Sequence, residues 1–100
     1  METGLEGVTI SRNDEGDHGE YRAHVPGSPH EARLTWVLKD GVRHANHTFT
    51  PSPLRGQGIA GKLVDSLIED ARAQGFKIVP ACPYVEAAFR RHPEWADLRA

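Results

Sequence analysis

The chain has 100 residues, a net charge of −2 with His neutral, and 38% hydrophobic residues, which favours one small soluble domain spanning residues 1–100. Its 12 Lys and Arg residues are mixed with 14 acidic residues along the chain, so no concentrated basic face indicates nucleic-acid binding. No apolar run approaches the roughly 20 residues of a membrane span, so a membrane protein is not expected.

The ends and the cysteine content indicate a compartment. Residues 1–6 lack a basic segment followed by an apolar one, so we predict no signal peptide. Cys82 is the single cysteine, which excludes an internal disulfide. We therefore expect a cytoplasmic protein.

The first half of the chain predicts strands joined by turns. Residues 8–10 form a short strand candidate, and alternation of apolar and polar residues predicts strands around residues 21–25 and 32–38. Asp40-Gly41 is a strong hairpin signal. The next strand, residues 42–50, should therefore return antiparallel to the one before it.

The second half changes to a helical period. Apolar residues recur on one helical face from residue 59 to residue 71, and Gly75 occupies the expected C-terminal position. A short strand at residues 77–80 and a second helix at residues 84–91 follow. The order β-β-β-β-α-β-α predicts an α/β (α+β) fold with a mixed five-stranded sheet. Its last two strands should be parallel and joined by a right-handed crossover.

The most informative stretch, RGQGIAGKL, runs from residue 55 to residue 63. Its glycines fit the dinucleotide fingerprint G-x-G-x-x-G, most of a P-loop, and the pattern R-x-x-G-x-A. A helix N-terminus has unpaired N–H groups and a partial positive charge, and glycines let these groups approach a phosphate closely. Since the helix lacks a Ser, Thr, Asp or Asn at its predicted N-cap and an acid in its first turn, we predict that an anion binds here.

Context separates these patterns. Leu63 stands where a P-loop needs a hydroxyl for Mg²⁺. A dinucleotide fold needs an acidic residue about 20 positions on, and residues 76–82 contain none. The alternative that remains from the residues alone is that the glycines only permit close helix–strand packing.

Further motifs occur from residue 47 onward and extend over about half of the chain. They are His47-Thr48, Pro51, residues 54–64, Ala71-Arg72, residues 80–85 (PACPYV) and residues 91–94 (RHPE). This combination resembles the minimal YjdJ-type branch of the GNAT superfamily of N-acetyltransferases. The resemblance implies a GNAT-like acyl-CoA N-acyltransferase fold with acetyl-CoA as the donor.

The resemblance also implies where the donor lies. The strand before the glycine loop and the strand after the helix should splay apart and hold the pantetheine arm, with backbone around Phe49 and Thr50 binding it. Cys82, Pro83 and Tyr84 should lie near the thioester. The pyrophosphate should bind the backbone amides of Arg55, Gly56, Gln57, Gly58, Ile59, Ala60 and Gly61.

Acetyl transfer to an amine needs a deprotonated amine, a polarised carbonyl and a proton for the leaving thiolate. Cys82 could accept the acetyl group as a thiolate or donate a proton as a thiol, although a free Cys is commonly a small buried hydrophobe. Tyr84 is the other candidate acid, or a core residue. His47 is a candidate base, although strict alternation places it beside Ala45 and Phe49 like a packed core histidine.

The strand before the loop also bears on metal binding and on catalysis. His44 and His47 are predicted on opposite faces of it, which argues against a metal site. Phe49 stands where the branch commonly has an acidic residue, which weakens a carboxylate-base mechanism.

Three functions follow from these residues. The preferred one is an acetyl-CoA-dependent N-acetyltransferase acting on an amine that the sequence does not identify. The second is a non-catalytic acyl-CoA-binding regulatory module, and the third is an interaction domain that binds no nucleotide. The sequence predicts no nucleic-acid or membrane partner and leaves the oligomeric state open.

Overall fold

The computed structural model describes residues 7–100. The prediction about a signal peptide concerns residues 1–6, which lie outside this part. Four antiparallel strands come first, followed by a helix, a short strand and a second helix. They are β1 (Thr9–Asp14), β2 (His18–His24), β3 (Glu31–Lys39), β4 (Val42–Phe49), α1 (Ile59–Gln74), β5 (Ile78–Val79) and α2 (Pro83–Arg91).

The strands between residues 7 and 100 form a mixed five-stranded sheet in the order β1-β2-β3-β4-β5, which confirms the predicted fold class. The β3–β4 hairpin turns at Asp40 and Gly41, whose φ angles of 54° and 80° suit a type I′ turn. β5 pairs in parallel with β4, with Arg43 opposite Ile78 and His44 opposite Val79.

The core lies between one face of the sheet and the helices. Tyr21, Leu34 and Trp36 point from the sheet into it and are at most 2% exposed. The apolar stripe of α1 covers them, and Val85 and Phe89 of α2 join the same cluster. On the opposite face of the sheet, which we call the outer face, no described side chain is buried.

A β-bulge in β4 changes which side chains face the core. Trp36 pairs with Ala45, but its neighbour Thr35 pairs with His47, so Asn46 is an extra residue. The prediction that His47 shares a face with Ala45 is therefore wrong, because one inserted residue reverses the alternation beyond it. Thr48 turns inward instead, while His47 is exposed on the outer face.

The bulge also corrects the prediction about the two histidines of β4. His44 pairs with Val37 and His47 with Thr35, and Val37 and Thr35 lie on the same face of β3. His44 and His47 therefore share the outer face rather than lying on opposite faces.

Two further features complete the fold. A 3₁₀ turn over Pro93–Leu98, which the sequence did not predict, packs Trp95 against Phe89 with their ring centroids 5.5 Å apart.

Within residues 7–100 no helix is long and apolar enough to cross a membrane.

Candidate functional site

The loop between β4 and α1 is folded back on itself. Its 3₁₀ turn, Ser52–Leu54, is anchored by Leu54, which is 3% exposed. The Arg55 Nε donates a hydrogen bond to the carbonyl of Thr50 at 2.9 Å, and the Gln57 amide donates to the carbonyl of Pro53 at 3.2 Å. These bonds hold the loop in place while its following glycines lead into the helix.

The start of α1 is built to leave backbone N–H groups open. Gly56 and Gly58 have φ angles of 80° and 78°, a conformation that side chains rarely adopt. Gly58 is the N-cap, so no side chain accepts a bond from the first-turn amides, and the first turn is without an acid. These N–H groups have no carbonyl partner within the helix and carry the positive end of its dipole, which favours an anion.

The packing interpretation of the glycines finds little support. A Cβ at Gly61 would meet the hydroxyl of Tyr84 at 3.8 Å, an ordinary contact, and a Cβ at Gly56 would point into open space. Close helix–strand packing therefore does not require glycine at these two positions, and at Gly56 the positive φ favours glycine instead.

A cavity of about 320 Å³ adjoins this loop. It is bounded by the end of β4, the loop, the first turn of α1 and the first turn of α2. Its lining residues are Thr48, Thr50, Leu54, Arg55, Gly56, Gly58, Ile59, Ala60 and Tyr84. Most of the residues predicted to hold the donor are thus together, while Gln57 and Gly61 belong to the loop and helix beside the cavity without lining it.

The gap between β4 and β5 also opens at this point. The N–H of Cys82 donates to the carbonyl of Ala45 at 2.9 Å. Among residues 7–100, no backbone hydrogen bond joins β4 to the segment after β5 beyond this one, on the side of the bulge. Beyond it β4 continues through Thr48 to Phe49 paired with β3 on one side and with no strand on the side of β5. Its backbone there is free to pair with an extended ligand.

Cys82 lies beside this gap and contacts Thr48, which lines the cavity, although Cys82 is not itself a lining residue. It is 6% exposed and forms the N-cap of α2, with Pro83 at the first helical position. Its Sγ is 3.4 Å from the Oγ1 of Thr48. Burial raises the pKa of the Cys82 thiol, but the Thr48 hydroxyl and the backbone N–H groups of Val85 and Tyr84 lower the pKa by more, so it lies below its ordinary value.

Phe49 and His47 do not reach the cavity with their side chains. Phe49 is 41% exposed on the outer face, where the guanidinium of Arg33 lies 5.6 Å from its ring centroid. His47 is exposed on the same face, one residue from Thr48. The donor-binding role predicted around Phe49 concerns its backbone. Phe49 lies beyond the bulge, in the part of β4 that has no strand on the side of β5.

Sequence reasoning missed Thr48 as a site residue. Its hydroxyl is the side-chain partner of Cys82, and it lines the cavity. Periodicity could not find it, because strict alternation from Ala45 places it on the outer face. The sequence signal that could have identified Thr48 as a site residue was its place in the His47-Thr48 motif.

No metal site was predicted, and among residues 7–100 no three His, Cys, Asp or Glu side chains converge in a group that could hold a metal ion.

The profile of the family described as GCN5-related N-acetyl-transferase matches residues 20–98. This region runs from β2 to the end of the 3₁₀ turn and contains the whole of the candidate site.

Proposed function

Because the chain belongs to the GCN5-related N-acetyl-transferase family, whose members use acetyl-CoA as the acetyl donor, we propose that it transfers this acetyl group to an amine by way of Cys82. The observation that carries the proposal is the cavity that joins the glycine loop to Thr48 and Tyr84, with the Cys82 thiol against Thr48.

The donor is held by backbone rather than by side chains. In this proposal the pyrophosphate accepts hydrogen bonds from the open N–H groups at Gly56, Gly58 and the first turn of α1. The amides of the pantetheine arm pair with the unpaired edge of β4 after the bulge. This placement brings the thioester toward Cys82.

The lowered pKa of Cys82 favours a covalent route. The Cys82 thiolate attacks the thioester carbonyl, the bond between that carbon and the CoA sulfur breaks, and the Tyr84 hydroxyl gives its proton to the departing sulfur. The acetyl group is then on Cys82. Direct transfer from CoA to the amine is the alternative, in which Cys82 serves only as a proton donor.

The second half of the reaction consumes the amine. The neutral amine attacks the acetyl carbon, the bond to the Cys82 sulfur breaks, and the Tyr84 phenolate left by the first half takes the proton that the new amide nitrogen loses. The side chain of His47 is on the outer face of β4 and does not line the cavity, so the base role predicted for His47 is not part of this route.

A non-catalytic acyl-CoA-binding module is the second candidate. It is favoured by Phe49, which is exposed on β4 where a carboxylate base would stand. It predicts binding of CoA without thiol release for any amine.

Two measurements test the proposal on the full-length chain. Thiol release from acetyl-CoA is followed over a panel of amines, and intact-mass spectrometry is recorded after exposure to acetyl-CoA alone. We expect release with at least one amine and a single acetyl adduct that is absent in Cys82→Ala. Calorimetry with CoA serves as the control, since Cys82→Ala leaves the glycine loop intact and should still bind.

The outcomes separate the candidates. An adduct that persists in Cys82→Ala would remove Cys82 as the acetyl carrier. Normal CoA binding with neither adduct nor thiol release would favour the binding module.

A further inference from the structure

The contact between Thr48 and Cys82 depends on the bulge in β4. Residues three apart in a regular strand point to opposite faces of the sheet. Ala45 and Thr48 are three apart, yet both point toward the core: Ala45 is fully buried, and Thr48 pairs with the buried Leu34. They share this face because Asn46 is inserted between them. Without the insertion the Thr48 hydroxyl would lie on the outer face, away from the thiol.

The bulge also holds Phe49 where its hydrophobicity disfavours it. Phe49 is 41% exposed on the outer face. A regular pairing of β4 with β3 beyond Ala45 would place Phe49 opposite the buried Ala32 and turn its ring toward the core side of the sheet. Burial of apolar surface therefore favours the regular pairing over the bulged one. Contacts that belong to the bulged pairing are needed to oppose this preference.

One such contact is made by the side chain of the extra residue itself. Asn46 has no residue opposite it on β3. Its Oδ1 accepts a hydrogen bond at 2.7 Å from the Oγ1 of Thr35, which lies directly beside the register shift. A bulge leaves its extra residue outside the ladder of backbone bonds, and this side-chain bond ties that residue to the neighbouring strand.

We propose that Thr35 and Asn46 are positioning residues, whose hydrogen bond on the outer face holds the bulge that keeps the Thr48 hydroxyl against the Cys82 thiol. Neither side chain lines the donor cavity, so both act through Thr48. The inference rests on the acetyl transfer proposed above. It gives two polar residues on one face of the sheet a part in a reaction on the other face.

The test removes the hydrogen bond from either end in the full-length chain. Thr35→Val keeps the shape of the side chain without its hydroxyl, and Asn46→Ala removes the acceptor. We expect each variant to move the midpoint of Cys82 thiolate absorbance to higher pH and to lose the NMR cross-peak (NOE) between the Thr48 methyl group and the Cys82 β-protons. Thr35→Ser, which keeps the hydroxyl, should behave like the wild type in both measurements.

Ser11→Ala is the matched control. Ser11 lies on the same outer face, and its hydroxyl is 3.0 Å from the Nε2 of His24 on the neighbouring strand. Loss of this bond should leave the thiolate midpoint and the NOE unchanged, whatever its effect on stability.

A double variant tests whether Thr35 acts through Thr48. Thr48→Val removes the hydroxyl that contacts the thiol. Thr35→Val/Thr48→Val should titrate like Thr48→Val alone, because two residues that act through one contact do not have additive effects.

The outcomes separate this inference from the proposed function, since the titration needs neither donor nor amine. Wild-type midpoints and NOEs in Thr35→Val and Asn46→Ala, or an equal shift in Ser11→Ala, would overturn the positioning role. So would a double variant with a midpoint above that of Thr48→Val, because Thr35 would then act on Cys82 by another route. Absence of an acetyl adduct in the wild type, with the midpoints shifted as expected, would overturn the acetyl transfer and leave Thr35 and Asn46 without a part in a reaction.

Discussion

At the scale of single residues, the pKa of Cys82 depends on one side-chain hydroxyl and on neighbouring backbone N–H groups. Cys82 is nearly buried, and burial alone would keep its thiol protonated. The Thr48 hydroxyl, 3.4 Å from Sγ, and the N–H groups at the start of α2 stabilise the thiolate instead. The opposing effects leave the pKa below its ordinary value, so the balance is sensitive to the loss of either contribution.

We predict that Thr48→Val raises the pKa of Cys82, because the thiolate loses its hydroxyl donor while the burial of the sulfur remains. Thiolate ultraviolet absorbance against pH should show a midpoint at higher pH than in the wild type. Loss of one hydrogen bond should slow acetyl adduct formation roughly fivefold at neutral pH, and the deficit should disappear at high pH, where both proteins carry the thiolate.

Thr48→Ser, which keeps the hydroxyl, is the control for this prediction and should titrate like the wild type. A Thr48→Val variant with an unchanged midpoint would mean that the backbone of α2 alone sets the pKa of Cys82.

The residues of the candidate site were only partly accessible to sequence reasoning. Cys82 and Tyr84 are predicted through the resemblance, and in the structure Cys82 contacts Thr48 while Tyr84 lines the same cavity as Thr48. Thr48 was missed and His47 was assigned to the wrong face. The cause is the extra residue Asn46, since a bulge leaves no trace in hydrophobic periodicity when the residues around it are polar.

At the scale of elements, the first turn of α1 has two possible roles with opposite requirements, which are the stability of the helix and the binding of a phosphate. A helix is stabilised by an acidic residue near its N-terminus, yet such a residue would occupy or repel a phosphate bound there. In this chain the first turn carries no acid, and its N-cap is Gly58. The helix therefore forgoes this stabilisation where the donor is proposed to bind.

We predict that Ala60→Glu affects helix stability and CoA binding in opposite directions. The carboxylate should leave the stability unchanged or raise it by about 0.5 kcal/mol through the helix dipole. It should weaken CoA binding by about tenfold or more, since it would lie next to the proposed pyrophosphate site. Urea denaturation measures the stability, and calorimetry measures the binding.

Ala60→Gln has a side chain of the same size without the charge and serves as the comparison. Because Ala60 lines the cavity, some loss from crowding is expected in both variants. Equal losses in the two would contradict an anion site at this helix.

Most elements could be predicted because each has a distinct local signature. The alternation in β2 and β3, the Asp40-Gly41 turn and the apolar stripe of α1 each predict one structure. Pro93–Leu98 could not be predicted in this way, because a 3₁₀ turn has too few residues to establish a period. It is held by tertiary contacts, such as that between Trp95 and Phe89.

At the scale of the whole molecule, the described part is a sheet with helices packed on one face. A chain of this length buries a modest fraction of its surface, and the outer face contributes no buried side chain to the core. We therefore expect a small free energy of unfolding, which a ligand that binds the folded state should change by a large fraction.

We predict that saturating CoA raises the unfolding temperature by roughly 10 °C, because ligand at 100 times its dissociation constant adds about 2.7 kcal/mol. Differential scanning calorimetry measures the shift. Adenosine, which lacks the pyrophosphate, should give little or none. An unchanged unfolding temperature with CoA would favour an interaction domain that binds no nucleotide.

The pairing of β4 with β5 has a consequence for the order of folding. β1 to β4 form consecutive hairpins whose contacts are local along the chain, whereas β4 and β5 pair over two residues across the whole of α1. Local contacts form faster than those that must close a long loop. We therefore expect the hairpins to assemble first and the segment from β5 to α2 to dock last, so that Thr48 and Cys82 meet only in the final step.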